Sequence, residues 1–347
     1  MKSQQSKTDL EQLKRQTVDL FVTWMEQAER LEGCSCQSSP ENLEAWPNLA
    51  QITPQQLPYL QDYIAHLTQL TKQYAMQLQN KNKVAYQGTE GAFSHIALRK
   101  LFPHAQAQKY PTWAGVFEAV QTGQAEYGVL PFENSHAGDV SAVLDLCFAH
   151  PELSVCQVYD LPVNQNLLAL PGTKLSDVRR VLSHPQAIAQ SEPFLRCLQL
   201  ETSECLNTAL AAQTVAEQGD KTLAAIASEE TARLYGLEVL AKGINSDQDN
   251  TTRFIVISKE RPAQGNRFSL LFTVDHKAGQ LARVIQEIGA AGFNMECIKS
   301  RPMPGVRFEY YFYVELEGTV AEHSTQTLLA NLTDICNTLR VLGVYTK

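Results

Sequence analysis

Long apolar runs are missing from this sequence, and no stretch approaches the roughly 18 residues that a membrane-spanning helix requires. Basic blocks are missing as well. Lys and Arg number 29 against 37 Asp and Glu, and a net charge of −8 without a basic face argues against a nucleic-acid partner. Met1 to Glu11 is polar and lacks the apolar segment of a signal peptide, so the expectation is a cytoplasmic protein. The eight cysteines (34, 36, 147, 156, 197, 205, 297 and 336) are scattered, and Cys34-Ser35-Cys36 has no second close pair. That pattern points to reduced, packed thiols, and no metal site is expected. His95, His136, His150 and His184 have no i,i+4 histidine partner, and no Gly-x-Ser-x-Gly elbow occurs. Gly88-Thr89-Glu90-Gly91 has the spacing of neither a P-loop nor a dinucleotide fingerprint. No internal repeat or low-complexity tract is present.

What is present is an ordinary globular composition, 44% apolar and 19% charged over 347 residues, enough for two or three domains. Leu10, Leu13, Thr17, Leu20, Phe21, Trp24, Met25, Ala28 and Leu31 share one stripe of a helix, and residues 55–79 repeat the pattern. Segment 1–80 is therefore expected to be α-helical. From Lys83 the texture changes to short apolar runs alternating with helical segments. Val84–Tyr86, Tyr127–Pro131, Val155–Tyr159, Asn166–Leu170, Val181–Leu182 and Leu223–Ala227 are predicted strands, the second of them stopping at its proline. Helices are predicted from Ser94, over Trp113–Gln121, and near 140–149, 186–198, 207–218 and 229–235. This is an α/β pattern, in which ligands bind beyond the C-terminal ends of the strands. After the stretch Glu260 to Gly265, residues 267–345 read β-α-β-β-α-β, a ferredoxin-like order whose second helix carries Leu328, Leu332, Ile335 and Leu339.

Four polar clusters fall at predicted strand ends of the middle segment. They are Pro131-Phe132-Glu133-Asn134-Ser135, Ser183-His184-Pro185-Gln186-Ala187, Asn207-Thr208-Ala209 and Asn250-Thr251-Thr252-Arg253-Phe254. Hydroxyls, amides and an arginine suit an anionic, oxygen-rich small molecule. Each also has a plain structural reading. Asn207 and Thr208 can cap a helix, Asn134-Ser135 can be a turn, and His184 can be satisfied by backbone.

Taken in order, with Gly88-Thr89-Glu90-Gly91-Ala92-Phe93-Ser94 before them and Leu234-Tyr235-Gly236-Leu237 between the last two, these clusters resemble the prephenate dehydratase family over about residues 83–258. Asn207 stands where that family has serine. The C-terminal segment resembles the ACT regulatory domain. Gly279-Gln280-Leu281-Ala282 and Ile298-Lys299-Ser300-Arg301-Pro302 stand where it has two phenylalanine-binding stretches, with Lys299 in place of an acidic residue. The position of segment 1–80 matches that of a helical chorismate mutase in some relatives. Its only arginines are Arg15 and Arg30, however, where a mutase needs several cations to clamp a dianion, so a degenerate or dimerising element is expected.

The resemblance implies three domains, at 1–80, 83–259 and 267–345. The middle one would be a two-lobed, type II periplasmic-binding-protein-like catalytic domain. It implies Thr252 as the catalytic residue, with Ser94, Glu133, Asn134, Ser135, His184, Gln186, Asn207, Thr208, Arg253 and Phe254 binding substrate. Gly279, Gln280, Leu281, Ala282, Asn294, Ser300, Arg301 and Pro302 would be regulatory. The implied reaction is decarboxylative dehydration of prephenate to phenylpyruvate in phenylalanine biosynthesis. Aromatisation drives it, so no cofactor is required. L-phenylalanine would be the effector and the assembly a homodimer or homotetramer. Arogenate as substrate, a bifunctional mutase/dehydratase and a non-catalytic amino-acid sensor are the alternatives. Neighbours on a strand point to opposite faces, so Thr252 and Arg253 can both touch substrate only if the chain turns there, and otherwise Arg253 braces the loop.

Overall fold

The computed structural model describes residues 82–346 apart from 248 and 321. The two helices expected within 1–80 lie outside the described residues. The first lobe begins with β1 (Lys83–Gln87), α1 (Phe93–Leu101), β2 (Gln106–Tyr110) and α2 (Trp113–Thr122). It continues through β3 (Tyr127–Asn134), β4 (Gly138–Asp139), α3 (Ser141–Ala149) and β5 (Ser154–Pro162). The chain then crosses to a second lobe formed by β6 (Asn166–Ala169), β7 (Arg180–Ser183), α4 (Pro185–Gln190), α5 (Glu192–Cys197) and β8 (Glu201–Glu204). That lobe is completed by α6 (Thr208–Gln218), β9 (Leu223–Ala227), α7 (Glu229–Tyr235) and β10 (Glu238–Ala241). A second crossover returns the chain as β11 (Thr251–Ser258), which inserts between β3 and β5. The C-terminal segment is β12 (Arg267–Thr273), α8 (Gln280–Ala290), β13 (Met295–Pro302), β14 (Tyr310–Glu317), α9 (His323–Thr333) and β15 (Thr338–Tyr345).

Two sheets result. The second lobe holds a five-stranded sheet in the order β10-β6-β9-β7-β8. The other sheet runs β13-β14-β12-β15-β5-β11-β3-β1-β2, so the C-terminal strands extend the sheet of the first lobe. The join is a single parallel pairing, Gly343 with Val155, and glycine is required there. A Cβ at 343 would sit 2.5 Å from the Val155 carbonyl oxygen. The join is also apolar. Leu271, Tyr311, Tyr313, Leu342 and Tyr345 pack with Val116, Phe117, Leu130, Val143 and Leu144 of the first lobe. The opposite face of the same strands carries Phe268, Leu270, Phe272, Val314 and Leu316 against Val284, Ile288, Leu328 and Leu332 of α8 and α9. Both faces of β12 are therefore covered, and its run Phe268–Thr273 is buried throughout.

Several elements differ from the sequence reading. β3 passes through Pro131 and reaches Asn134. Its pairing with β1 ends at Val129, and a register shift opposite Arg253/Phe254 accommodates the ring, so the missing N–H breaks no ladder bond there. The predicted helix over 186–198 is interrupted at Ser191, two residues before Pro193. Helix α9 ends at Thr333, and Leu339 lies in β15 rather than on the helix. The polar strands β2 and β8 carry no apolar run that announces them, and β10, apolar over three residues, is only four residues long. Among the described residues no helix is long and apolar enough to cross a membrane. The six described cysteines are unbridged, and burial pushes the Cys147 thiol up to about 12.

Candidate active site

Six segments meet at a cavity of about 150 Å³ between the lobes. They are the start of α1 (Ala92, Phe93), the end of β3 (Asn134), the first crossover (Val163, Gln165), α4 and its cap (His184, Gln186, Ala187, Gln190), the start of α6 (Asn207, Thr208) and the second crossover running into β11 (Asn250, Thr252). These are loops and helix starts that follow β1, β3, β7 and β8, where ligands of α/β sheets bind. Among the described residues no lysine, arginine, aspartate or glutamate lines it.

Local structure fixes each polar group. Asn207 caps α6, its Oδ1 accepting from the Leu210 N–H at 2.7 Å, and Thr89 Oγ1 donates to the same oxygen across the lobes at 3.3 Å. His184 caps α4 through Nδ1, which accepts from the Gln186 N–H at 3.2 Å. In the neutral ring the proton therefore sits on Nε2, making that atom a donor. Asn134 is the hub. Its Oδ1 accepts from the N–H groups of His136 and Ala137, and its Nδ2 lies 2.8 Å from Asn250 Oδ1 and 3.0 Å from Thr252 Oγ1. Asn250 in turn donates to Gln190 Oε1 at 3.0 Å, so an amide chain ties both lobes to Thr252. Two further bridges hold the lobes together. Thr231 Oγ1 donates to the Gly91 carbonyl and the Tyr235 hydroxyl to the Glu90 carbonyl, each at 2.9 Å.

Of the residues expected to bind substrate, the cavity gathers Asn134, His184, Gln186, Asn207 and Thr208, together with Thr252, the expected catalytic residue. Five others lie elsewhere. Arg253 faces away from Thr252, and its cross-strand neighbours on either side, Glu133 and Asp160, are both acidic. Its guanidinium holds Asp160 at 2.9 and 3.2 Å and lies 3.9 Å from both Glu133 and Glu315. Arg253 and Glu133 are thus a brace behind the sheet. Phe254 is packed in the core with Tyr86, Ile96 and Leu161. Ser94 is buried in the first turn of α1 and does not line the cavity. Ser135 sits at the exposed rim, where Oγ accepts from the Thr251 N–H at 3.0 Å. The residues missed by sequence reasoning are Val163, Gln165 and Gln190, with Ala92, Phe93, Ala187 and Asn250 quoted in motifs but given no role. Gln190 carried a signal, being four residues beyond Gln186 on one helix face.

Apart from Asn294, which precedes β13, the expected regulatory residues fall at two elements. Gly279 caps α8 with Gln280, Leu281 and Ala282 in its first turn, whereas Ser300, Arg301 and Pro302 belong to β13. Asn294 donates to Glu317 at 3.2 Å. Arg301 is committed to another partner. It forks onto Asp145 of α3 at 2.6 and 2.9 Å, and the Tyr311 hydroxyl reaches the same carboxylate at 2.6 Å. The Arg301 hydrogen bond, followed by that of Tyr311, holds the Asp145 carboxyl below its ordinary range against the opposing effect of burial.

The family described as prephenate dehydratase matches residues 84–262 of the chain. An Arabidopsis thaliana protein named arogenate dehydratase/prephenate dehydratase 1, chloroplastic, is 33% identical over 284 residues, covering 77% of this chain and 72% of its own. A solved structure of prephenate dehydratase from Arthrobacter aurescens in complex with L-Phe superposes with a TM-score of 0.70 at 28% identity, over 76% of this chain and 90% of that one. A structure described as GqqA, a novel type of quorum quenching acylase, superposes with a TM-score of 0.69 at 33% identity, over 76% of this chain and 97% of that one.

Proposed function

Since the chain belongs to the prephenate dehydratase family, we propose that the interlobe cavity converts prephenate and a proton to phenylpyruvate, carbon dioxide and water. The bond from the ring to its carboxylate breaks, its electron pair enters the ring, and the ring hydroxyl departs with the proton. The observation that carries the assignment is the Asn134–Thr252 contact. Thr252 Oγ1 accepts from Asn134 Nδ2 at 3.0 Å, which leaves its own O–H free to donate to the departing hydroxyl. The His184 Nε2–H and the start of α6 add neutral donors for the carboxylates. The described lining carries no lysine or arginine that would anchor the departing carboxylate. The two-lobed arrangement is of the kind with which type II periplasmic binding proteins grip a ligand. An absorbance assay for phenylpyruvate, with prephenate as substrate, tests this reading. Product formed at turnover rates supports it. Hydrolysis of acyl amides without phenylpyruvate would favour the chemistry named for the acylase instead.

For residues 267–345 we propose an ACT regulatory domain. Its support is the β-α-β-β-α-β order with strands arranged β13-β14-β12-β15. L-phenylalanine is the proposed effector, as the L-Phe complex of the Arthrobacter protein suggests. A homodimer or homotetramer follows if β13, at the open edge of the sheet with Ile298 41% exposed, meets its copy. L-phenylalanine is expected to inhibit, and tyrosine more weakly. Gly279, the cap of α8, has φ +83°, a conformation that a β-branched residue adopts only with strain. Gly279→Val should therefore abolish the L-phenylalanine response in an inhibition titration while turnover without effector persists. A normal response in that variant would remove the start of α8 from the effector site.

A further inference from the structure

We propose that Gln165 reads the acid tail of the substrate, and that its amide lets the cavity take an α-keto or an α-amino tail. The inference rests on the dehydratase reading and asks which end of the substrate meets which wall. Gln165 lines the cavity, is 3% exposed, and its Oε1 has no hydrogen-bond partner among the described residues. Four of the other amides around it are engaged, while the Gln186 side chain stands on an exposed helix face. Asn134, Asn250 and Gln190 bond one another, and Asn207 caps α6. A buried polar atom left unpaired in the wall of a cavity is costly unless a ligand completes it.

The backbone of Gln165 is pinned on both sides. Its N–H donates to Asn245 Oδ1 at 3.1 Å, and its carbonyl accepts from the Ile244 N–H at 2.8 Å. The two crossovers therefore fix where the side chain starts. Register gives its place relative to Thr252. Thr252 pairs with Leu161, the Val163 N–H bonds the Asn250 carbonyl, and Gln165 is four residues beyond Leu161. Four residues of chain span at most about 13 Å, and β5 ends at Pro162, so Gln165 lies beyond the end of the Thr252 ladder. A hydroxyl donor thus stands toward one end of the cavity and an unpaired amide toward the other. The substrate has the same polarity, since its departing hydroxyl and its three-carbon acid tail occupy opposite positions of the ring. With the hydroxyl at Thr252, the tail runs toward Gln165.

A glutamine amide presents a donor at one end and an acceptor at the other. The Nε2 end donates to a keto oxygen, as in prephenate, and the Oε1 end accepts from an ammonium, as in arogenate. No described residue holds Oε1, so turning the amide over sacrifices no bond to that atom. A site of this kind discriminates weakly, in contrast with one whose donors and acceptors are locked.

The test compares kcat/KM for prephenate and arogenate in the full chain. The unaltered protein should accept both within about tenfold. Gln165→Glu keeps the shape but offers only acceptors, so the arogenate-to-prephenate ratio should rise at least tenfold. Gln165→Met removes both polar ends and should raise KM for both substrates by about tenfold, with a melting curve to verify folding. An unchanged ratio in the glutamate variant together with unchanged KM in the methionine variant overturns the inference and leaves the dehydratase reading standing. A thousandfold exclusive preference in the unaltered protein also overturns it. Turnover of neither substrate by the unaltered protein overturns the dehydratase reading and this inference with it.

Discussion

Replacing Thr252 by alanine is expected to lower dehydratase turnover by about 10²–10⁴-fold, the range for removal of a positioned proton donor. The fold should survive, because Asn134 Nδ2 keeps the Asn250 side chain at 2.8 Å and the Thr251 carbonyl at 3.2 Å after losing the hydroxyl. β11 also keeps its ladders to β3 and β5. The loss should fall on kcat more than on KM, since the hydrogen bond to the departing hydroxyl strengthens only as the C–O bond breaks. Thr252→Ser retains the hydroxyl and should recover part of the rate. If the alanine variant melts like the parent and turns over at near-normal rate, Thr252 is a strand residue and the proton comes from elsewhere, with His184 Nε2 the next donor to examine.

The position of this hydroxyl was legible because Thr252 lies in a strand-end cluster whose order along the chain matches other polar clusters. The same logic overreached by the two residues that follow it. Arg253 and Phe254 belong to the same motif, yet alternation along β11 sends Arg253 behind the sheet, and Phe254 packs in the core. The charged member of a motif was read as a ligand for charge, whereas its cross-strand neighbours on both sides are acids, Glu133 and Asp160. Register decides such cases, and register is invisible until the partner strands are known. Gln165 was missed for a related reason. It sits in a crossover that owes its shape to Asn245, 80 residues away. The α/β texture, by contrast, was carried by local apolar runs, as in Val84–Tyr86 and Leu223–Ala227, which became β1 and β9.

The Lys299 substitution was visible in the sequence as a charge opposite to that of the related domain, but its partners were not. Alternation along β13 turns Lys299 and Arg301 toward the first lobe, while Ser300 takes the other face. The Lys299 side chain is only 8% exposed, with Nζ 3.2 Å from Glu133 and 2.5 Å from Asp139, above the Phe132 ring. Burial pulls its pKa down, but the Asp139 and Glu133 carboxylates outweigh that and hold the ammonium above its ordinary value. Lysine at this position is therefore a docking residue, joining the C-terminal strands to the strand that carries Asn134.

Reversing that charge should separate the two halves of the join. Lys299→Glu would gather three carboxylates in one partly buried spot. Breaking a buried ion pair costs about 3–5 kcal/mol, and the partial exposure of Glu133 and Asp139 reduces this to about 2–3 kcal/mol through solvent screening. For a chain of this size the melting temperature should fall by about 3–4 °C. Turnover should fall as well, because β3 carries both Glu133 and the Asn134 amide that contacts Thr252. Lys299→Met is the control. It keeps the length of the side chain over Phe132 and leaves Glu133 within 3.9 Å of Arg253, so its melting temperature should fall by no more than about 1 °C. Calorimetric scans of the three proteins at one salt concentration decide the matter. Equal melting temperatures for the parent and the glutamate variant would mean that β13 does not dock on the first lobe through Lys299, and that the Arg301–Asp145 fork and the apolar join hold the C-terminal strands without it.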